Sequence, residues 1–259
     1  IKNNIEYLGN VDANSLEIIE RSKLVDLCVL GGYDKILKKE VLEAPRHGFI
    51  NTHLGIIPQN RGCNPSMWAI LNNIQQGATT YFMNEKIDKG GIIDIQRLDD
   101  NNLNSYEAYQ ALSKKVSDNI ISCIEKIERG EDLIEPEGKE RYHRMGMPND
   151  GYVSWSWSLE FIKRFSDSLF FPPYRPMATV YDDVTVHLTC EKFEKIHLPE
   201  LVDGTIIEID GKNIKVKARD GIAHCVLFKD YDIRLAKTFS YRKGNKHPID
   251  RNFQKGFIS

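Results

Sequence analysis

Residues 49–62 read FINTHLGIIPQNRG. Two apolar residues, Phe49 and Ile50, lead into Asn51 and His53, and Gly55 and Pro58 then break the run. Residues two apart on a strand share a face, so the stretch reads as a strand that ends with an amide and an imidazole side by side. Its neighbours set the fold class. Upstream, LVDLCVLGG (24–32) is a continuous apolar run ending in two glycines, the pattern of a strand buried on both faces. NSLEIIERSK (14–23) reads as a helix before it, and ILKKEVLEAP (36–45) as a helix after it, stopped by Pro45. Downstream, NPSMWAILNNIQ (64–75) is a helix with Asn64 as N-cap and Pro65 in the first turn. ATTYFM (78–83) and GGIIDIQRL (90–98) are strand-like.

Between Tyr106 and Ile127, residues Tyr109, Leu112, Val116, Ile120 and Ile124 keep helical spacing, which gives a long amphipathic helix packed on the sheet. Strand and helix alternate, so the expected class is α/β with a Rossmann-like, mostly parallel sheet. Ligands in such sheets bind beyond the carboxyl ends of the strands, and Asn51 and His53 sit at one of those ends.

Residues 129–151 are polar and read as a linker or surface loop. A helix, SLEFIKRFSDSLFF (158–171), follows, then the corner PPYRP. Beyond it the texture changes to short alternating runs with Asp210-Gly211 and Asp220-Gly221 as hairpin-turn signals. The expected division is an α/β domain over 1–150 and, over 151–259, a helix plus a small antiparallel β subdomain resembling a barrel. Trp155, Trp157, Phe170, Phe171 and Tyr174 are expected to pack the two parts together or to line a dimer interface, with stacking on a nucleotide base as the sharper alternative.

A net charge of −2 over 259 residues gives no basic surplus for a nucleic-acid partner. The five cysteines, Cys28, Cys63, Cys123, Cys190 and Cys225, show no CxxC pair. That argues against a disulfide framework or zinc site and fits a reducing cytoplasm. No apolar run has the length of a membrane span. His47 lies six residues before His53, a gap without metal-ligand logic, and no HExxH or Cys/His cluster occurs, so no metal is expected. No Ser or Cys sits in a nucleophile motif, Cys63 included.

Asn-x-His at a strand end is more often structural than catalytic, and Asp88 in a glycine-rich loop is ordinarily a turn-former. Their order and spacing together are more specific. FINTHLGIIPQNRGCNPSMWAILNN (49–73) followed by GATTYFMNEKIDKGGII (77–93) resembles the formyltransferases that use 10-formyltetrahydrofolate, a family that includes methionyl-tRNA formyltransferase and the sugar N-formyltransferases. The shared features are the Asn-x-His strand end, an Ile-Pro-x-x-Arg-Gly loop, a Trp-bearing helix, a Gly-x-Thr strand and an Asp-x-Gly loop. ERYHRMGMPNDGYVSW (140–155) is similar to the family's exit from its catalytic domain, and the β-rich tail to its C-terminal subdomain. The resemblance enters late. Residues 5–32 look like the segment just before the family's central strand, so the first βαβ unit is expected to be missing from this numbering or from the protein.

The resemblance implies roles. Asn51 would donate to the oxyanion formed when a primary amine attacks the formyl carbon. His53 would move a proton between that amine and the departing folate nitrogen, and Asp88 would orient His53. Lys35, Ile36 and Leu37 match one wall of the folate pocket, and Asn84, Glu85, Lys86, Ile87 and Asp88 the other. The co-substrate implied is 10-formyltetrahydrofolate. The implied acceptor is a nucleotide-linked amino sugar of a surface-polysaccharide (lipopolysaccharide) pathway, the enzyme being a cytoplasmic homodimer with no nucleic-acid or membrane partner. The alternatives are methionyl-tRNA formylation and a non-catalytic or truncated homologue that only binds.

Overall fold

The computed structural model describes residues 8–9, 11–32 and 35–242. The expectations for residues 5–7 and for Tyr33 and Asp34 lie outside the described residues. In chain order the elements are α1 (Leu16–Ser22), β1 (Cys28–Leu30), α2 (Lys39–Leu42), β2 (Phe49–His53), β3 (Arg61–Gly62) and α3 (Pro65–Leu71). Then come β4 (Gly77–Phe82), β5 (Ile92–Arg97), α4 (Ser105–Glu128), β6 (Tyr142–His143) and α5 (Leu159–Ser168). The tail adds β7 (Ala178–Tyr181), β8 (Val184–Lys195), β9 (Ile206–Asp210), β10 (Asn213–Ala218) and β11 (Gly221–Leu227). The chain forms two compact units. The first comprises Ile1–Gly62, Gly77–Arg97 and Leu112–Tyr142, and the second Cys63–Gln76, Leu98–Ala111 and His143–Ser259.

The first unit carries a four-stranded sheet in the order β1-β2-β4-β5. Its parallel character lies in the β1–β2 pairing, while β2–β4 and β4–β5 run antiparallel. From Leu112 onward α4 covers one face: Ile50, Ile93 and Cys123 are buried together, with Ile120, Ile124 and Ile127 packed on them. Asp94 on β5 ties that helix down through Asn119 Nδ2 at 2.8 Å and Lys126 Nζ at 2.6 Å. A second cluster of Leu37, Val41, Leu42 and Phe49 takes in Leu30 and Met83.

Some local readings need correction. The run 24–32 yields only the three residues of β1, which lies at one side of the sheet formed by the described residues and has Val29 half exposed there. The helix before Pro45 is a single turn, α2. Asn64 occupies the N-cap position of α3 in the left-handed region, φ 53°, and makes no side-chain cap bond, while Pro65 opens the helix as expected. The 129–151 stretch is loop apart from β6 and a 3-10 turn at Pro148–Gly151, and its first part is hydrogen-bonded into the first unit, with Ile134 N to Ile92 O at 2.8 Å and Arg141 N to Pro58 O at 3.0 Å.

The second unit holds a five-stranded antiparallel sheet, β7-β8-β11-β10-β9. Residues 237–240 lie against both of its outer strands: Ser240 N donates to Val180 O on β7, and Ile206 N on β9 donates to Lys237 O. That closure gives the barrel character. The two-residue hairpin loops are Gly211-Lys212 and Arg219-Asp220, since Asp210 pairs with Asn213 and Ala218 with Gly221. Each Asp-Gly signal therefore straddles a strand end. Gly211 supplies the positive φ of 58°, whereas Gly221 is needed for space, since a Cβ there would run into Glu194 O. Trp155 and Trp157 are buried in this unit's own core with Phe161, Phe165 and Phe239, while Tyr174 is exposed. Cys190 and Cys225 face each other across the β8–β11 pairing with sulfurs 2.8 Å apart, as free thiols. Among the described residues no helix is long and apolar enough to cross a membrane.

Candidate active site

The candidate residues gather on one face of β2 and β4. Antiparallel register sets Asn51 opposite Tyr81 and His53 opposite Thr79, which brings opposed side chains within contact range. Ile50 and Phe82, also paired, point to the other face and join the cluster under α4. The strand thus alternates between core and site.

The chain leaving β2 folds back over its own end. Thr79, fully buried, accepts from Ile57 N at 3.1 Å and donates to Gly55 O at 2.8 Å. Gly77 leaves room for this turn, since a Cβ there would stand 2.8 Å from Ile56 Cγ1 and 2.6 Å from Gln96 O. The Gly-x-Thr motif is therefore a packing device for the loop. The turn delivers Asn60 O to 2.7 Å from His53 Nε2. A carbonyl only accepts, so Nε2 carries the hydrogen and, in the neutral ring, Nδ1 has the free lone pair.

Asp88 arrives from the loop between β4 and β5. Its backbone is left-handed, φ 51°, a conformation Asp tolerates better than most residues. Asp88 is buried and its carboxylate accepts from Tyr81 Oη at 2.8 Å and from Gly62 N at 2.8 Å. Its Oδ2 lies 3.8 Å from His53 Nδ1, within ion-pair range but beyond a hydrogen bond. Asn51 Nδ2 donates to Tyr81 Oη at 3.1 Å, and Asn51 Oδ1 is buried with no hydrogen-bond partner among the described residues.

Asn51, His53 and Asp88 are thus brought together in the first unit. The spacing gave no signal for Tyr81 or Asn60, and the Ile-Pro-x-x-Arg-Gly loop marked Arg61 and Gly62 without giving them a part, because these parts depend on register and on the backbone of the turn. Arg61 serves as a fastener. Buried, it donates from Nε to Ile87 O at 3.1 Å and from Nη2 to the same carbonyl, while Nη1 meets Glu140. Glu140 also binds Lys89 at 2.7 Å. The hydrogen bond from Lys89 and the charges of Lys89 and Arg61 hold its carboxyl below the usual range. The loop carrying Asp88 is fastened from behind.

The two suggested cofactor segments differ in character. Leu37 is buried and Lys35 exposed, and Ile36 is 67% exposed. Asn14 braces this segment, donating to Ile36 O at 3.1 Å and accepting from Lys38 N at 2.7 Å. In the other segment Asn84, Glu85 and Lys86 are exposed and Ile87 is 46% exposed. Asn84 closes the turn by accepting from Lys86 N at 2.9 Å and donating to Lys89 O at 3.1 Å. Leu37 and Met83 belong to one apolar cluster, so the bases of the two segments meet.

The pattern described as formyl transferase matches residues 10–121. A methionyl-tRNA formyltransferase of Clostridium perfringens (strain SM101 / Type A) is 32% identical over 213 residues, 78% of this chain and 67% of that protein. The chain belongs to the formyl transferase family. Its activity is transfer of a one-carbon formyl group, with 10-formyltetrahydrofolate as donor. The methionyl-tRNA formyltransferase of Clostridium novyi (strain NT) is 29% identical over 261 residues, covering 96% of this chain and 82% of its own. Among solved structures, a sugar N-formyltransferase from Shewanella sp FDAARGOS_354 shares the fold at a TM-score of 0.59 and 19% identity, over 72% of this chain and 78% of that one.

Proposed function

We propose that this formyltransferase acts on the primary amine of a nucleotide-linked amino sugar in the cytoplasm, with Asn51, His53 and Asp88 as its reacting cluster. The observation that carries the chemistry is the convergence of those three side chains, with His53 Nδ1 free of a carbonyl partner and Asp88 Oδ2 3.8 Å from it. When bound, 10-formyltetrahydrofolate supplies an activated formyl carbon. His53 Nδ1 accepts the proton that the acceptor amine sheds and returns it toward the leaving side. The Asp88 carboxylate offsets the positive charge this places on the ring. Asn51 offers its second Nδ2 hydrogen to negative charge developing on the formyl oxygen.

The residues fit the folate. Asn51 Oδ1 is a buried acceptor awaiting a donor. Ile36 and Ile87 expose apolar side chains on the two segments whose bases meet at Leu37 and Met83, which suits a flat heteroaromatic ring between them. Lys35, Ile36 and Leu37 would form one wall, and Asn84, Glu85, Lys86, Ile87 and Asp88 the other.

The sugar acceptor is supported by the fold shared with a sugar N-formyltransferase and by the net charge of −2, since phosphate contacts dominate affinity for tRNA. The second reading, methionyl-tRNA as acceptor, draws on the two clostridial relatives. Incubation with 10-formyltetrahydrofolate and a panel of nucleotide-linked amino sugars, methionyl-tRNA and no acceptor, read by mass spectrometry, separates them. A formyl mass gain on a sugar supports the first reading. Gain on methionyl-tRNA alone establishes the second, and turnover without acceptor indicates hydrolysis. His53→Ala and Asp88→Ala should abolish transfer with the fold intact. Wild-type turnover by either variant removes the cluster assignment.

A further inference from the structure

Three polar groups of the first unit are joined end to end: the Asn51 amide, the Tyr81 hydroxyl and the Asp88 carboxylate. Tyr81 is only 3% exposed, so its partners are set by the protein. A phenol has one hydrogen, and an ionised carboxylate can only accept. That hydrogen therefore goes to Asp88 Oδ1, 2.8 Å away. The Tyr81 oxygen is left to accept on its Asn51 side, and of the two ends of the amide only Nδ2 can donate to it, at 3.1 Å. The polarity of the chain is dictated from its charged end.

We propose that Tyr81 is a positioning residue for formyl transfer, whose hydroxyl uses the Asp88 carboxylate as an anchor to lock the Asn51 amide with Nδ2 inward and Oδ1 free. The proposal rests on the reading of Asn51, His53 and Asp88 as the reacting cluster. The lock leaves one Nδ2 hydrogen and the unpartnered Oδ1 as Asn51's remaining groups, each in a fixed place. Among the described residues only the Tyr81 hydroxyl bonds the Asn51 amide, so without it a half-turn exchanges donor for acceptor where the reactants meet. Three charged or titratable groups bear on the hydroxyl: Asp88 bonded to it, His53 beyond Asp88, and Arg61. Burial first, and the Asp88 charge second, hold the tyrosine far above its ordinary range, so the donor hydrogen stays in place at neutral and mildly alkaline pH.

Tyr81→Phe keeps the ring and removes only the hydroxyl. Three readouts on the full chain decide the matter: steady-state transfer to the acceptor found active, thermal unfolding, and the side-chain amide signals of Asn51, assigned by their loss in Asn51→Ala. The expected result is a kcat lower by about ten- to a hundredfold, as for small misplacements of a reacting group, with KM for 10-formyltetrahydrofolate within about twofold of wild type. The Asn51 amide signals shift and their hydrogens exchange faster with solvent. Should Tyr81→Phe not fold, 3,5-difluorotyrosine at position 81 keeps shape and hydroxyl, weakens the oxygen as acceptor, and shifts the same signals. A kcat within twofold of wild type, or unmoved Asn51 signals, overturns the proposal. Wild-type turnover by His53→Ala would instead strike at the reacting cluster, and the Asn51 signals report the lock separately from it.

Discussion

Gly90→Ala tests how tightly the Asp88 loop is built. A Cβ at position 90 would overlap Phe82 O, stand 2.6 Å from Phe82 C and 3.3 Å from Tyr81 Cδ2. Ordinary carbon contacts are about 3.5–4.0 Å, so relieving the overlap with Phe82 O requires a displacement on the order of 2 Å. Strand β4 cannot supply it. It is paired on both sides, with β2 and β5, and Phe82 N donates to Gly91 O at 2.9 Å. The loop must move instead, and with it Asp88, whose two hydrogen bonds are both 2.8 Å long. Hydrogen bonds to charged groups contribute about 1.5–3 kcal/mol each, so losing both costs about 3–6 kcal/mol. For a chain of this size that lowers Tm by roughly 6–24 °C.

Thermal unfolding of the variant, with formyl transfer measured well below its Tm, is the assay. Activity should fall by about a hundredfold or more, since a 1 Å misplacement already costs about that much. Gly31→Ala is the control, because a Cβ there meets nothing within 4 Å. If Gly90→Ala keeps its Tm within about 2 °C of wild type, less than the loss of one such bond would give, and retains full activity, the fastening of Asp88 described above is wrong.

Other outcomes follow from single groups. Arg61→Met removes both donors to Ile87 O and the contact with Glu140. Stability should fall by about 1–3 kcal/mol, and KM for 10-formyltetrahydrofolate should rise more than kcat falls, in steady-state kinetics. Burial alone would raise the Asp94 carboxyl, but hydrogen bonds from Lys126, Gln96 and Asn119 outweigh it and hold the group below its ordinary range. A carboxyl depressed in the folded state stabilises above its unfolded pKa of about 4 and loses that contribution as pH falls through the folded value. Urea midpoints from pH 7 down to pH 3 should therefore decline less steeply in Asp94→Asn than in wild type. Phe239 is buried, stacked on Trp155 at 5.8 Å and edge-on to Tyr181 at 6.0 Å. Phe239→Ala should cost about 3–5 kcal/mol, read from chemical denaturation.

The α/β class, the strand ending in His53, the long helix α4 and the antiparallel tail were legible because each rests on periodicity, which the sequence displays directly. Asn51 and His53 were legible as a pair for the same reason. The antiparallel return of β4 and β5 was not, since a buried strand such as Ala78–Tyr81 carries no mark of direction. The span of β1 was overread because an apolar run does not mark where a strand's pairing starts and stops, and only Cys28–Leu30 pair with β2. The turns slipped by one residue at Gly211 and Asp220, where dipeptide signals mark the neighbourhood of a turn and pairing sets its register. Tyr81 read as an ordinary strand aromatic. Its part in the site comes entirely from what stands opposite.

That opposition is why fold and site share one specification. In the β2–β4 pairing, Asn51 faces Tyr81 and His53 faces Thr79 on one side, while Ile50 faces Phe82 on the other. The first two pairs build the polar cluster and brace its turn, and the third seals the core under α4. Because side chains alternate with a period of two, a slip of one residue would turn Asn51 and His53 into that core and push Ile50 toward the polar face. Burying an amide and an imidazole without partners costs several kcal/mol, and exposing Ile50 adds about 1.5–3 kcal/mol more. The register that makes the first unit stable is therefore the one that sets Asn51 against Tyr81, and no separate device is required to choose it. Asp88 alone comes from outside this alternation. Its left-handed backbone, the tight approach at Gly90 and the grip of Arg61 on Ile87 O are accordingly concentrated in a loop that periodicity does not position.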